Sequence, residues 1–370
     1  MPPTLHPSVL LVPDLALEGW PSMDRYAREL SRRLPEAEQP QEAATLRGSR
    51  YLARYLTYPR ALRSRRPSLV HVADHSYAHC LRAFPGVPSV VTIHDLYPVH
   101  VLAEERWSPR TALRNSLLRY VLAWTRRADR LVADSEFTAD EARRLLGLPP
   151  DRIRVVPLGV DEGFFARPPA AVVAERRRGW LGAEPRGGAQ RRVVLHVGSC
   201  VARKRVEAAI GAVAQLRTRG TDAWLVQIGG RFSLAQARAI RETHLEPFVR
   251  QEPAASEPSL VAAYAAADAL VMPSAYEGFG LPPLEALAAG LPAVTSGAPA
   301  LRETVGDAGI AVEPAEPRAL ADALERVLCD SALREALTAK GRSRARTFTW
   351  ERTAAGVRAV YAELGEAGAP

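Results

Sequence analysis

The stretch Ser274-Ala-Tyr-Glu-Gly-Phe-Gly-Leu-Pro-Pro-Leu-Glu-Ala-Leu-Ala-Ala-Gly-Leu-Pro-Ala-Val-Thr295 decides the fold. The apolar run from Ala269 to Met272 just before it has the length of a buried strand. Pro282 and Pro283 then stand where a helix begins, because a first turn needs no N–H from them. Between strand and helix lie Glu277, Gly278, Phe279 and Gly280. The glycines let the backbone approach a ligand closely, and the N–H groups opening the helix through Leu284 to Ala289 would point at it. An anion is the expected guest. Glu277 in the loop and Glu285 in the first turns of the helix bring two carboxylates toward one site from different directions.

A phosphate site flanked by carboxylates points to a sugar nucleotide, since a diphosphate needs amides and cations while ribose and sugar hydroxyls need acceptors. The segment from Glu277 to Glu285 resembles the Glu-x7-Glu signature of the retaining GT-B glycosyltransferases of family 4, which transfer hexoses from nucleotide donors. That resemblance implies two Rossmann-like α/β domains facing across a central cleft, with a C-terminal helix crossing back to the N-terminal domain. Strands alternating with helices along both halves support the α/β class independently.

At 370 residues the chain exceeds the size at which one core stops growing, so two domains are expected. Hydrophobic residues make up 47% and charged residues 24%, as in a soluble globular protein. The net charge of +8 favours an anionic partner. Nucleic acid has only diffuse Arg in its favour and is not expected. Cys80, Cys200 and Cys329 form no Cys-x-x-Cys pair, which argues against a disulfide framework or zinc site and fits a reducing cytoplasm. The N-terminus has no signal-peptide pattern and no apolar run reaches membrane-spanning length, so the expectation is a soluble or peripheral protein.

Taken in order, the strand from Ser8 to Val12 leads through Gly19 into a helix containing Tyr26, Leu30 and Leu34. Asp24-Arg25-Tyr26 stands where the resembled family commonly has Gly-Arg-Tyr beside the donor phosphates, so Gly19 is the remaining candidate for that contact. The Arg-rich stretch from Arg47 to Arg66 carries Tyr51, Tyr55 and Tyr58; it reads first as a solvated helix and second as a surface for an anionic acceptor or membrane. Strands Ser68 to Ala73 and Ser89 to Ile93 end in His71, Asp74 and His75, and in His94 and Asp95, at the edge where ligands gather on open sheets. Thr138 with Glu141 has capping-box spacing, and Ser135 and Thr138 are read as helix caps. Residues 1–166 are assigned to the first domain, 167–190 to a linker, 191–346 to the second domain and 347–370 to the returning helix.

The second half opens with a buried-type strand ending at Gly198, followed by Arg203 and Lys204. A cationic helix start opposes the dipole, and a bound anion would explain it. Position by position, the resemblance assigns Arg203 and Lys204 to the diphosphate and Glu285 to ribose hydroxyls. It assigns Glu277 to the donor sugar, Phe279, Gly280 and Leu281 amides to sugar or phosphate, and Val249 to a backbone contact with the nucleobase. His94 would sit beside the anomeric centre. No Asp-x-Asp pair occurs, so no metal and no cofactor beyond the nucleotide-sugar donor is expected. The acceptor is left open among a glycan, a lipid-linked glycan and a small molecule. A nucleotide-sugar epimerase or a weak binding protein shares this pattern, and acceptor dependence of donor consumption separates them.

Overall fold

The structure is a computed structural model that describes residues 8–104, 109–182 and 190–367. Its contacts divide the chain into one unit of residues 1–159 with 350–370, and a second of residues 160–349.

The first unit holds strands β1 (Val9–Val12), β2 (Ala37–Glu38), β3 (Leu69–Val72), β4 (Ser89–Ile93), β5 (Arg130–Ala133) and β6 (Ile153–Val155). They form one parallel sheet in the order β2-β1-β3-β4-β5-β6. Most of these strands are continuous apolar runs rather than alternating ones, because helices cover both faces of a parallel sheet; β1, β3 and β4 are buried at every position. Helix Glu136–Leu146 is capped by Ser135, whose hydroxyl accepts the Thr138 N–H at 3.1 Å. The capping box read from Thr138 and Glu141 does not form: Thr138 lies inside the helix, and the Glu141 carboxylate binds His100 and Arg144 instead.

Helix Trp350–Ala367 belongs to this first unit. Tyr361 bonds His71 Nδ1 at 2.6 Å, Arg33 reaches Glu351 at 2.7 Å, and Glu363 receives Arg154 at 2.8 Å and Arg130 at 2.9 Å. His71 is therefore a core residue. Its other nitrogen meets Thr92 at 2.8 Å, and burial followed by the neighbouring His94 pushes its pKa down to about 3.

The second unit holds β7 (Arg192–Val197), β8 (Ala223–Ile228), β9 (Val249–Glu252), β10 (Ala269–Met272), β11 (Ala293–Ser296) and β12 (Ile310–Val312), again all parallel. Their order is β12-β11-β10-β7-β8-β9. Counted from its own first strand this is the 3-2-1-4-5-6 order of dinucleotide-binding sheets, whose strand order reverses between β7 and β10. In the first sheet the reversal falls between β1 and β3.

Part of the segment read as a linker is structured. Residues Ala170–Leu181 are a helix within the second unit, whose Trp180 is 2% exposed and donates to Glu252 at 2.6 Å. Arg176 joins the same carboxylate at 2.6 Å, and Arg177 reaches Asp268 at 3.0 Å. Residues 183–189 of that segment, and 1–7 and 368–370 of the assigned domains, lie outside the described residues.

Candidate functional site

The reversal between β7 and β10 brings together loops that are distant in sequence. The loop after β7 carries Arg203 and Lys204; the loop after β10 carries Glu277. The Ala275 N–H donates to the Arg203 carbonyl at 2.7 Å, which ties the loops at the backbone. Lys204 Nζ donates to Glu277 Oε1 at 2.6 Å, and Arg203 reaches Glu277 Oε2 at 3.4 Å and the Tyr276 carbonyl at 3.1 Å. Glu277 is buried, which alone would raise its pKa, but Lys204 and then Arg203 outweigh that and hold the carboxyl below the usual range. An ammonium has three donors and a guanidinium five, so both can hold this carboxylate and a phosphate oxygen together.

The helix Leu281–Ala289 starts at Gly280, with no side chain capping its first N–H groups. Gly280 has φ +108°, and a Cβ there would lie 2.7 Å from Leu301 Cδ2, so both conformation and space demand glycine. Thr304 fixes the loop by donating to the Phe279 carbonyl at 2.6 Å. Glu285 is 4% exposed and accepts the Tyr264 hydroxyl at 2.7 Å. At the second helix start, Arg205 adopts a left-handed φ of +48°, the turn that leads from Lys204 into helix Val206–Thr218.

Gly198 lies behind Lys204: a Cβ there would stand 3.9 Å from Lys204 Cε. Its carbonyl accepts Gln227 Nε2 at 2.6 Å, and the Gln227 side-chain Oε1 in turn accepts from His196 Nδ1. Burial and then Lys204 push the His196 pKa down to about 4, so the ring stays neutral. A cavity of about 430 Å³ opens at the carboxyl ends of β8 and β9, lined by Gly230, Arg231, Gln251 and Glu252 among others. Val249 is at the opposite end of β9, paired with Leu225 and packed on the core. Position along the strand, not the face a side chain takes, separates Val249 from this cavity.

Gly19 and His94 belong to the first unit. Gly19 closes the turn Ala16–Glu18 with φ +66°, and a Cβ would meet nothing within 4 Å, so the turn rather than a close approach requires it. Asp24 is exposed in the first turn of helix Pro21–Arg33, where a carboxylate suits the dipole. His94 is not an open group. Its Nδ1 faces Asp134 Oδ2 at 2.6 Å and its Nε2 faces the Ala73 carbonyl at 2.9 Å, with Tyr26 edge-on at 4.8 Å. Burial opposes its protonation, but Asp134 overcomes that and raises the pKa to about 9. With both nitrogens donating, His94 organises the end of this sheet.

Sequence reading passed over Tyr264, Thr304 and Gln227, whose roles depend on partners distant in sequence. It also passed over Asp14 and Asp134. Their signal was position, since Asp134 directly follows β5 and Asp14 comes two residues after β1, at the carboxyl edge of an open sheet.

Residues 18–164 match the family model Glycosyltransferase Family 4, and residues 185–344 match Glycosyl transferases group 1. The chain is similar to D-inositol 3-phosphate glycosyltransferase of Thermobispora bispora, 35% identical over 76% of this chain and 66% of that one. It thus spans less than two thirds of that relative's length. It is 34% identical to glycogen synthase of Mycobacterium tuberculosis over 82% of this chain and 71% of that one. Its fold matches the crystal structure of Anabaena Alr3699/HepE in complex with UDP-glucose at TM-score 0.76 and 17% identity, covering 97% of this chain and 100% of the other. With both halves matched in order, the chain belongs to the family 4 (group 1) glycosyltransferases of GT-B fold.

Proposed function

We propose that this chain is a retaining, metal-independent glycosyltransferase that moves a hexose from a nucleoside diphosphate sugar to an acceptor hydroxyl. The observation that carries this reading is the cluster of Lys204 and Arg203 on Glu277 at the reversal of the second sheet, beside an uncapped helix start. The cavity at Gln251 and Glu252 has the volume of a small-ligand site and would take the nucleoside. Lys204, Arg203 and the Gly280 to Leu281 amides would take the diphosphate, Glu285 the ribose and Glu277 the hexose. A complex of the Anabaena protein with UDP-glucose supports a donor of this class.

In the reaction the anomeric C–O bond to the diphosphate breaks and the diphosphate leaves with the electron pair. The acceptor oxygen bonds to the same face, and its proton passes to a diphosphate oxygen. The cations stabilise the charge that grows on the leaving group, where fixed charges in a site of low water content act most strongly. They would do so without a divalent ion, and activity that persists in a strong chelator is the expected result.

A glycan, lipid-linked or small-molecule acceptor fits this chemistry. Free Cys80, Cys200 and Cys329 support a reducing cytoplasm. Among the described residues no helix is long and apolar enough to cross a membrane. Exposed Tyr51 and Leu52, at 65% and 52%, lie in the Arg-rich stretch and support peripheral contact with an anionic inner membrane face. Unchanged liposome binding and activity after charge reversal at Arg60, Arg63 and Arg65 would rule that contact out. The test of the function is a thermal-shift panel with UDP, GDP, ADP, TDP and their sugar conjugates. A ligand that binds only the native state raises its melting temperature. A shift with one nucleotide, followed by acceptor-dependent release of that nucleotide, is expected; no shift with any would overturn the reading.

A further inference from the structure

The loop from Glu277 to Gly280 takes its shape from the short helix Pro299–Val305. Leu301 of that helix leaves no room for a Cβ at Gly280, and Thr304 donates its hydroxyl to the Phe279 carbonyl at 2.6 Å. The last carbonyls of a helix have no partner within it, and here a guanidinium takes two of them. Arg344, in helix Ser331–Ala345, donates through Nε to the Thr304 carbonyl at 2.6 Å and through Nη2 to the Glu303 carbonyl. Gly306 ends the short helix with φ +54°, and a Cβ there would stand 2.8 Å from Arg344 Cζ. The turn therefore closes around this guanidinium. Arg344 reaches the loop by a second route as well. Its Cζ lies 5.5 Å from the centroid of the Phe348 ring, and that ring meets Phe279 edge-on at 5.9 Å. The Phe348 carbonyl accepts the Val160 N–H at 3.1 Å, which anchors the backbone beneath the ring to the residue that opens the second unit. One side chain thus governs both ends of Phe279, its carbonyl through Thr304 and its ring through Phe348.

The carbonyl matters because it shares a peptide plane with the next N–H. The Phe279 C=O and the Gly280 N–H point in opposite directions across one rigid trans unit, so the bond to Thr304 also fixes the heading of the Gly280 N–H. We propose that Arg344 is a positioning residue that, through Thr304 and Phe348, aims the Gly280 N–H at the donor diphosphate. It acts through the loop rather than on the donor. This rests on the transferase reading and deepens it by naming the side chain that sets a phosphate-binding amide. The shape of the guanidinium is part of the device: its rigid fork spans two neighbouring carbonyls, whereas a lysine ammonium is a compact point charge without that spread of donors.

The experiment measures binding of UDP, GDP, ADP and TDP to the full chain, each beside its nucleoside and beside inorganic pyrophosphate. In Arg344→Lys the diphosphate that the wild type prefers should bind about tenfold more weakly, the worth of one charge-assisted hydrogen bond, while its nucleoside keeps its affinity. A general loosening of the unit would weaken both alike, and that outcome would overturn the proposal. Unchanged diphosphate binding in the folded variant would do the same. In a chain that already carries Thr304→Val and Phe348→Leu, adding Arg344→Lys should cost nothing further, because both routes are gone; a full further loss would show that Arg344 acts elsewhere. Should Arg344→Lys fail to fold, Thr304→Val alone decides, with selective loss of the diphosphate supporting the aimed amide and no loss refuting it. Pyrophosphate binding that depends on Arg344 in a chain that ignores every nucleotide would sink the transferase reading and leave the positioning role standing. A wild type that binds neither nucleotide nor pyrophosphate would end both.

Discussion

Both sheets reverse their strand order, the first after two strands and the second after three, and they fill the reversal with opposite chemistry. In the second unit Arg203 and Lys204 converge on Glu277 and keep it ionised. In the first, Asp14, Asp74 and Asp134 surround His94, which is pushed toward the charged form while Asp14 is pushed toward the neutral one. Topology thus decides where loops meet, and the residues placed in them decide what can bind there. One edge is arranged for an anion, the other for groups that share protons.

The largest effect expected on this contrast comes from Lys204→Ala. It removes the closest cation from Glu277 and should lower turnover by about 10²–10³-fold while weakening nucleoside diphosphate binding. Steady-state rates and calorimetry with the diphosphate check this, and normal values in both would remove Lys204 from the phosphate site. At the other edge the contrast predicts a pH effect. His94 is raised from 6.5 to about 9, so its contribution is complete below its unfolded pKa and is lost as pH rises through about 9. Stability should therefore fall by on the order of 2 kcal/mol between pH 7 and 10, and Asp134→Asn should flatten that slope. Parallel denaturant curves for both proteins would expose a missing difference.

Gly280→Ala should cost about 1–3 kcal/mol through its left-handed backbone and its collision with Leu301. An unchanged melting temperature would mean that the loop relaxes and that its geometry is not fixed by the fold. The smallest effect is expected from Glu285→Gln, since an amide can still accept the Tyr264 hydroxyl. Donor affinity should fall about tenfold with folding intact; wild-type affinity would end the ribose assignment.

Elements held by local pattern were legible in the sequence. Strand β4 and the loop from Glu277 to Gly280 lie where the apolar runs and prolines place them. Helix Ala170–Leu181 was hidden because it buries Trp180 alone and so shows no apolar period, and its partners Glu252 and Asp268, far along the chain, show what holds it. The site divided the same way. Residue types around Lys204 and Glu277 were readable, but their 2.6 Å contact comes from the order of strands in the sheet. His94 was readable as a residue at a ligand-facing edge, while the loss of both nitrogens to Asp134 and Ala73 was not.

Helix Trp350–Ala367 gives the molecule an order of construction. It is translated only after residues 160–349 have emerged, yet it completes the unit that begins the chain. Until it arrives, the face that holds Tyr26 and His71 waits without Trp350 and Tyr361. The unit made second can therefore mature first on the ribosome. A chain released after Thr349 should yield a protease-resistant core from residues 160–349 and a digestible remainder. A resistant first unit in that truncated chain would show that its sheet closes unaided.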